Sequence, residues 1–317
     1  NARDCETCIF LGDWHHHRAS INIATMNATI RDLKKLNDNF EKVYFITGNH
    51  DLYYREKRDL NSIEFARDLE NFVMVDEHFC QDGVAIIPWL VGDEHKKLNK
   101  VDCKYMFGHF ELPYFKMNAM VEMPDHGGGI NDKMLSGPEY VFSGHFHKRQ
   151  YKNNIHYIGN AFPHNYADVD DDERGAMFLE WGGEPQYVNW TECPKYKVFN
   201  LRRLLDEHST LLDEYTYARV KLDISISYEE ANFIRETFID KYKLRELQEI
   251  FYSHGIDVEI VGYTDVLGIE RGEEIQLYLN DNPCDNYVVI DDNVRDILPY
   301  VQNVVPIEKS YIGITEE

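Results

Sequence analysis

Residues 43–51 read VYFITGNHD: four apolar residues, a threonine and a glycine, then an amide, an imidazole and a carboxylate in succession. Val43 to Ile46 has the length and the β-branched and aromatic content of a strand covered on both faces. Gly48 allows a tight turn directly after it, so Asn49, His50 and Asp51 arrive together at one strand end. Strands that end in polar loops of this kind point to a layered α/β fold, in which ligands gather at the strand ends.

The same device recurs three times outward from this stretch. Thr7 to Leu11 leads into Gly12-Asp13, Tyr105 to Phe107 into Gly108-His109, and Tyr140 to Phe142 into Ser143-Gly144-His145-Phe146-His147. Between the first two strands, residues 20–38 carry Ile23, Met26, Ile30 and Leu33 at helical spacing, and residues 59–71 are also expected to form an amphipathic helix. The stretch 122–139 is rich in Gly and Pro and reads as an excursion loop. Residues 164–175 carry an acidic cluster without EF-hand spacing, which reads as a solvated turn.

A boundary is expected near residues 190–215. Beyond it Ala218, Val220, Leu222, Ile224 and Ile226 alternate as in a half-buried strand. Ser227 to Glu230 fits a capping box for a helix with Phe233, Ile234, Phe238 and Ile239 on its apolar face. The remainder reads as half of a doubly wound unit. It has a strand at Val258–Val261, a helix at Arg271–Leu279, a strand at Tyr287–Ile290 ending in Asp291-Asp292, and a helix and strand reaching Ile307.

Composition limits the function. The 317 residues carry a net charge of −23, which argues against a general electrostatic grip on nucleic acid and requires any DNA role to be argued from a local site. The sequence has no apolar run of membrane-spanning length and no signal-peptide pattern. The six cysteines follow no disulfide rhythm, so a reducing, cytoplasmic setting is expected. Cys5 and Cys8 read as two buried thiols at a strand edge, because no second pair completes a zinc site.

Together, Asp13, Asn49, His50, Asp51, His109, His145 and His147 supply carboxylate, amide and imidazole groups from separate strand ends. That mixture suits Mn, Fe or Zn and does not suit calcium. Two such ions held about 3.5–4 Å apart clamp a phosphate and generate hydroxide for in-line attack. A glycine before each ligand lets side chains crowd a metal pair without an intervening Cβ.

This ordered set resembles the calcineurin-like metallophosphoesterases. Residues 1–190 are most similar to the SbcD-like nuclease subunits of phage and bacterial double-strand-break repair and recombination complexes. The phrases ITGNHDLYY, IIPWL, FGHFEL, SGHFHKRQ and IHYIGNAF carry the likeness, and ARVKLDISISYEEANFIRETFIDKY resembles the capping region of phage members. The resemblance implies a metallophosphoesterase β-sandwich flanked by helices (1–190), a small α/β cap (191–245) and a C-terminal partial Rossmann-like unit (246–317). It implies two Mn²⁺ ions, with Mg²⁺ as the alternative. Asp13 would bridge them, Asn49, His109 and His145 would complete one site, and His147 would ligate the other. His50 would stabilise or protonate the leaving oxygen, with Asp51 orienting it.

The family's first strand bears an Asp-x-His motif that has no counterpart before Gly12-Asp13. The chain therefore reads as N-terminally truncated, with an intact site on the Asn49 side and a weak or empty one at His147. His15, His16 and His17 match no ligand position and read as rim residues. Residues 254–293 resemble the rear half of a haloacid-dehalogenase-like phosphatase, in which Asp291 and Asp292 would be a vestigial Mg²⁺ site without a nucleophile.

Tyr53, Tyr54, Arg55, Lys57 and Arg58, with Lys148 and Arg149, place aromatics among cations, a pattern that can stack bases and hold phosphates or simply start solvated segments. The resemblance thus implies a DNA exonuclease/endonuclease acting beside an SMC-like coiled-coil ATPase, and a homodimer is also open. The alternatives are a small-substrate phosphodiesterase and a catalytically impaired assembly module.

Overall fold

The computed structural model describes residues 5–127, 129–221, 223–224, 228–242, 246–250, 275–276, 289–291 and 304–306. It is a mixed α/β structure with several sheets and few helices. Strands β1 (Thr7–Phe10), β2 (Lys42–Ile46) and β3 (Phe72–Val75) form a parallel sheet, with Ile9 opposite Tyr44 and Phe45 opposite Met74. A second sheet has six strands: β4 (Phe79–Gln81), β5 (Val84–Ile86), β6 (Tyr105–Gly108), β7 (Tyr140–Ser143), β8 (Gln150–Lys152) and β9 (Ile155–Tyr157), in the order β4-β5-β6-β7-β9-β8. Its four inner strands are parallel, and β4 and β8 pair antiparallel at the edges.

The near-continuous apolar runs have a direct cause: both sheets are covered on both faces. Along β2, Val43 and Phe45 turn toward helix α1 (Ile23–Asn39), while Tyr44 and Ile46 join a core shared with Tyr105, Phe107 and Phe142 of the second sheet. Met106 and Val141 point the other way, into a cluster with Phe110, Leu112, Phe115 and Tyr157. The two sheets thus share one apolar layer, and the parallel strands bring their carboxyl ends, with the loops attached to them, to the same side of each sheet.

Helix α1 begins where expected because the Asn22 side chain caps it, its Oδ1 accepting the Thr25 N–H at 2.8 Å. Its buried stripe is shifted from the sequence expectation. Thr29 and Leu33 are buried, and Leu36 and Phe40 pack beside them. Ile23 and Ile30 face solvent, because the Trp14 indole and the His15 ring claim Thr29 as a polar anchor under the helix.

The expected helix at 59–71 is corrected to a short 3-10 turn at Glu64–Asp68. Its first half is spent on another partner: Leu52 bridges Asn61, Tyr53 N–H bonds Leu60 O at 3.0 Å, and Ser62 N–H bonds Asp51 O at 2.8 Å. Those backbone groups are then no longer free for helical bonds.

The acidic run at 164–175 is also corrected. It is not a solvated turn: Asp168, Asp171 and Arg174 are buried, and Arg174 Nη2 lies 3.1 Å from a carboxylate oxygen of each aspartate. The node ties the second sheet to a strand near residue 197. Lys148 Nζ reaches Asp171 at 3.2 Å, Lys197 pairs with Asp172 at 2.5 Å, and Asp170 N–H bonds Tyr196 O.

Next come a hairpin of β10 (Gly175–Phe178) and β11 (Gln186–Asn189), then a parallel βαβαβ unit. That unit comprises β12 (Lys195–Asn200), α2 (Leu201–Leu211), β13 (Thr216–Lys221), α3 (Tyr228–Tyr242) and β14 (Glu246–Ile250). Within the stretch 190–215, residues 195–211 form β12 and α2. Ala218 and Val220 turn inward as predicted, with Thr216 on the same side, Phe238 is buried against them, and Leu222 and Ile226 lie outside the described residues. Phe233 is exposed, and Ser227 lies outside the described residues.

Asn1–Phe251 make one compact unit and Tyr252–Glu317 another. In the second, β15 (Val289–Asp291) pairs parallel with β16 (Val304–Pro306). The strand expected at Val258–Val261, most of the Arg271–Leu279 helix, and Asp292 lie outside the described residues. Asp291 closes β15. Among the described residues no helix is long and apolar enough to cross a membrane.

Candidate metal centre

Four of the polar loops meet over the shared apolar layer. Asp13 and His109 approach to 3.2 Å (Oδ2 to Nε2), Asn49 Oδ1 lies 3.1 Å from His109 Nε2 and 2.9 Å from His145 Nδ1, and the two imidazole nitrogens are 3.2 Å apart. Asp13, His109 and His145 can each offer one ligand atom to a common metal ion.

The two imidazoles are fixed by their outer hydrogen-bond partners. His109 is buried, with Nδ1 2.6 Å from the Leu11 carbonyl oxygen. A carbonyl only accepts, so Nδ1 carries the proton and the Nε2 lone pair faces the cluster. His145 presents the opposite nitrogen, because its Nε2 is 3.1 Å from Glu111 Oε2. With His109 neutral, the centre therefore gathers a carboxylate oxygen, an amide oxygen and two imidazole lone pairs, all acceptors, within hydrogen-bonding distance of one another. Such a group repels itself until a cation enters, and this donor set suits a divalent transition metal. The residues fit the group that the sequence implied.

Close approach depends on glycine here. A Cβ on Gly48 would overlap Asp13 Oδ1, and one on Gly12 would stand 2.5 Å from His109 Nδ1. Gly12 also has φ +93°, which L side chains avoid.

Asp51 has a different position from the one expected. Its fully buried carboxylate accepts four backbone N–H groups: Asp13 and Gly48 at Oδ2, Trp14 and His15 at Oδ1, at 2.8 to 3.1 Å. It clamps the two loops together and does not touch the His50 ring. His50 is held by the His16 carbonyl, 2.8 Å from its Nδ1, and stacks on the His16 ring at 5.2 Å. The role expected of Asp51 in orienting His50 thus passes to the main chain of His16.

Among the three histidines, His15 is corrected from rim to core. It is buried, with Nδ1 2.8 Å from Ser62 Oγ and Nε2 2.8 Å from Thr29 Oγ1. His16 and His17 are exposed.

His147 does not join the Asp13–His109–His145 group. Its Nδ1 is 3.9 Å from Asp168 Oδ1, and its ring meets His164 at 5.4 Å. Lys148 and Arg149 are tethered within the protein, the first to Asp171 and the second to Ile158 O and Asn189 Oδ1. Arg58 is likewise committed, in a two-pronged pair with Glu94 at 2.7 Å. Tyr53, Tyr54 and Arg55 remain exposed.

Electrostatics follow the geometry. Burial pushes the Asp13 pKa up, but the His109 imidazole and the His50 N–H overcome it and hold the group well below the usual carboxylate range. Burial works to lower the His109 pKa, and Asp13 reverses it, so the net shift is upward. Burial lowers His145. Burial and the neighbouring Asp13 charge push Asp51 up to about 6.

Sequence reasoning passed over Glu111 and Trp89, although FGHFEL and IIPWL contain them. The Trp89 ring lies 5.7 Å from that of His109 and 5.3 Å from that of His145. Both residues line a cavity of about 200 Å³ that also has His109 in its wall.

No protein-family model matches the chain. The chain is 28% identical over 181 residues to exonuclease subunit 1 of Enterobacteria phage T4, an alignment covering 54% of this chain and 52% of that protein. The chain thus spans about half the length of the curated relative it matches.

Proposed function

We propose that this protein hydrolyses phosphodiester bonds of DNA with divalent metal ions, as a nuclease subunit of the calcineurin-like class. The observation that carries the reading is the close cluster of Asp13, Asn49, His109 and His145, each delivered by a different loop. The distant likeness to a phage exonuclease subunit supports DNA as the substrate.

In this reading Asp13, Asn49, His109 and His145 would hold one ion, and His147 would belong to a second. Mn²⁺ is the proposed metal, with Mg²⁺ as the alternative. When bound, the metal would supply Lewis-acid stabilisation of a phosphoryl oxygen and activation of a water nucleophile. The chain's own residues do the rest. Asn49 and Asp13 fix the floor of the site through the Asp51 clamp. His50, with Nδ1 held by the His16 carbonyl, presents Nε2 to the leaving oxygen and, when protonated, gives it a proton. Tyr53, Tyr54 and Arg55 stand exposed beside it as strand contacts, with Lys148 and Arg149 farther along as second-line contacts.

The paired sheets form the metallophosphoesterase sandwich (1–190), with 191–245 as cap and 246–317 as a haloacid-dehalogenase-like segment in which Asp291 and Asp292 are vestigial. An SMC-like ATPase is the proposed partner, in the cytoplasm of a bacterial host, and a homodimer is the proposed assembly. The separation of His147 from the cluster favours, as a second reading, a chain whose hydrolysis is impaired and whose binding persists.

End-labelled single- and double-stranded DNA incubated with Mn²⁺ tests the proposal. Cleavage by the wild type and its loss in Asn49→Ala and His50→Ala are expected. Hydrolysis of bis-p-nitrophenyl phosphate without DNA cleavage would move the substrate to small diesters. DNA retention without any hydrolysis would support the assembly module.

A further inference from the structure

Glu111 stands two residues beyond His109 on the loop leaving β6, yet it serves the other imidazole. Its Oε2 is 3.1 Å from His145 Nε2. His145 itself is unusually constrained: its backbone is left-handed at φ 81°, a conformation that non-glycine residues rarely adopt. Trp89 lies 5.3 Å from the ring and Phe146 4.9 Å. Among the described residues the carboxylate is the hydrogen-bond partner of Nε2, and Nδ1 is left facing Asn49 and His109.

We infer that Glu111 is the positioning residue of the candidate metal centre. It takes the single proton of neutral His145 on Nε2, turns the Nδ1 lone pair inward and makes that nitrogen more basic. The inference rests on the metal reading above and deepens it. His109 has only a neutral carbonyl in the same role, so the two imidazoles are oriented by unequal partners, and His145 is the one supported by a charge. Partners of this kind typically affect metal affinity 10–100-fold when removed. The Glu111 side chain is 42% exposed at the cavity rim, so shortening it leaves no buried void.

Calorimetric titration of the full chain with Mn²⁺ tests this without reference to catalysis. Glu111→Ala is expected to weaken binding by about 10–100-fold, with metal-free thermal unfolding unchanged. Glu111→Gln, whose amide oxygen can still accept the Nε2 proton, is expected to recover part of the loss. Nitrogen-15 NMR of the His145 ring should show the Nε2-protonated form in the wild type and Gln variant, and a tautomer mixture in the Ala variant. Asn49→Ala and His109→Ala are run beside them. If those two lose Mn²⁺ while Glu111→Ala binds like the wild type, the positioning role is overturned and the metal reading stands. If all variants bind like the wild type, both readings fail together.

Discussion

The Asp51 carboxylate accepts the Asp13 backbone N–H at 2.8 Å, so the two aspartates of the site are joined side chain to main chain. The same oxygen accepts Gly48 N–H, and the other accepts Trp14 and His15 N–H. Asp51→Asn keeps the size and offers only one acceptor oxygen, leaving two of the four N–H groups facing an amide nitrogen. Unpaired buried donors cost about 1–3 kcal/mol each. The variant is expected to lose about 2–6 kcal/mol on that basis, read as a lower urea midpoint at unchanged m-value. An Asn variant as stable as the wild type would show that the clamp carries little.

Metal affinity should depend on pH with a definite sign. His109 must give up a proton to present Nε2, and Asp13 raises its pKa above the ordinary 6.5. Protons therefore compete with metal to a higher pH than at an ordinary imidazole, and the competition fades as pH rises through the His109 pKa. His145, lowered by burial, is already neutral there and adds little. Apparent Mn²⁺ affinity is expected to increase as pH is raised above the ordinary imidazole pKa of 6.5, with proton release on binding. Calorimetry in buffers of different ionisation enthalpy measures both. A flat profile without proton release would remove His109 from the ligand set.

The features legible in the sequence and those hidden from it divide along physical lines. VYFI and its three counterparts were legible because strands covered on both faces must be apolar throughout. The gathering of Asp13, Asn49, His109 and His145 was legible because glycine-flanked ligands at strand ends have few other uses. The roles of Asp51 and His15 were hidden: a carboxylate taking four backbone N–H groups looks, in sequence, like one that orients a histidine. The helix at 59–71 failed because its donors are drawn to Leu52 and Asp51, a pairing across the turn that periodicity does not register. The acidic run failed for a similar reason, since only the fold brings Arg174 beneath Asp168 and Asp171.

Glycine 48 offers a test of the crowding argument. Gly48→Ala places a methyl group against the Asp13 carboxylate and its backbone nitrogen. The aspartate must move, because the neighbouring atoms include main chain. Mn²⁺ binding is expected to fall at least 10-fold, about 1.4 kcal/mol, with loss of thermal stability. Gly137→Ala is the control: nothing stands within 4 Å of its Cβ and its φ lies outside the left-handed region. It should leave binding unchanged and hold or slightly raise stability, by narrowing the unfolded ensemble. Equal behaviour of the two variants would contradict the crowding argument.

Arg174 allows the buried ionic node to be tested apart from the metal centre. Its side chain is fully buried between Asp168 and Asp171, and Asp168 also accepts the His164 N–H at 2.9 Å. Arg174→Met keeps much of the volume and removes the positive charge, leaving two buried carboxylates facing each other across the gap. Breaking one side of a buried pair costs about 3–5 kcal/mol, and that loss is expected in urea unfolding. Adding Asp168→Asn and Asp171→Asn to Arg174→Met removes the stranded charges and should restore part of the stability. The triple variant also separates two roles of Asp168. If it folds as well as the wild type but no longer holds the His147 and His164 rings together, as read by their NMR shifts, the node orders the His147 side of the site. If those shifts stay in place, its work is confined to joining the β7–β8 loop to the β12 strand through Lys148 and Lys197.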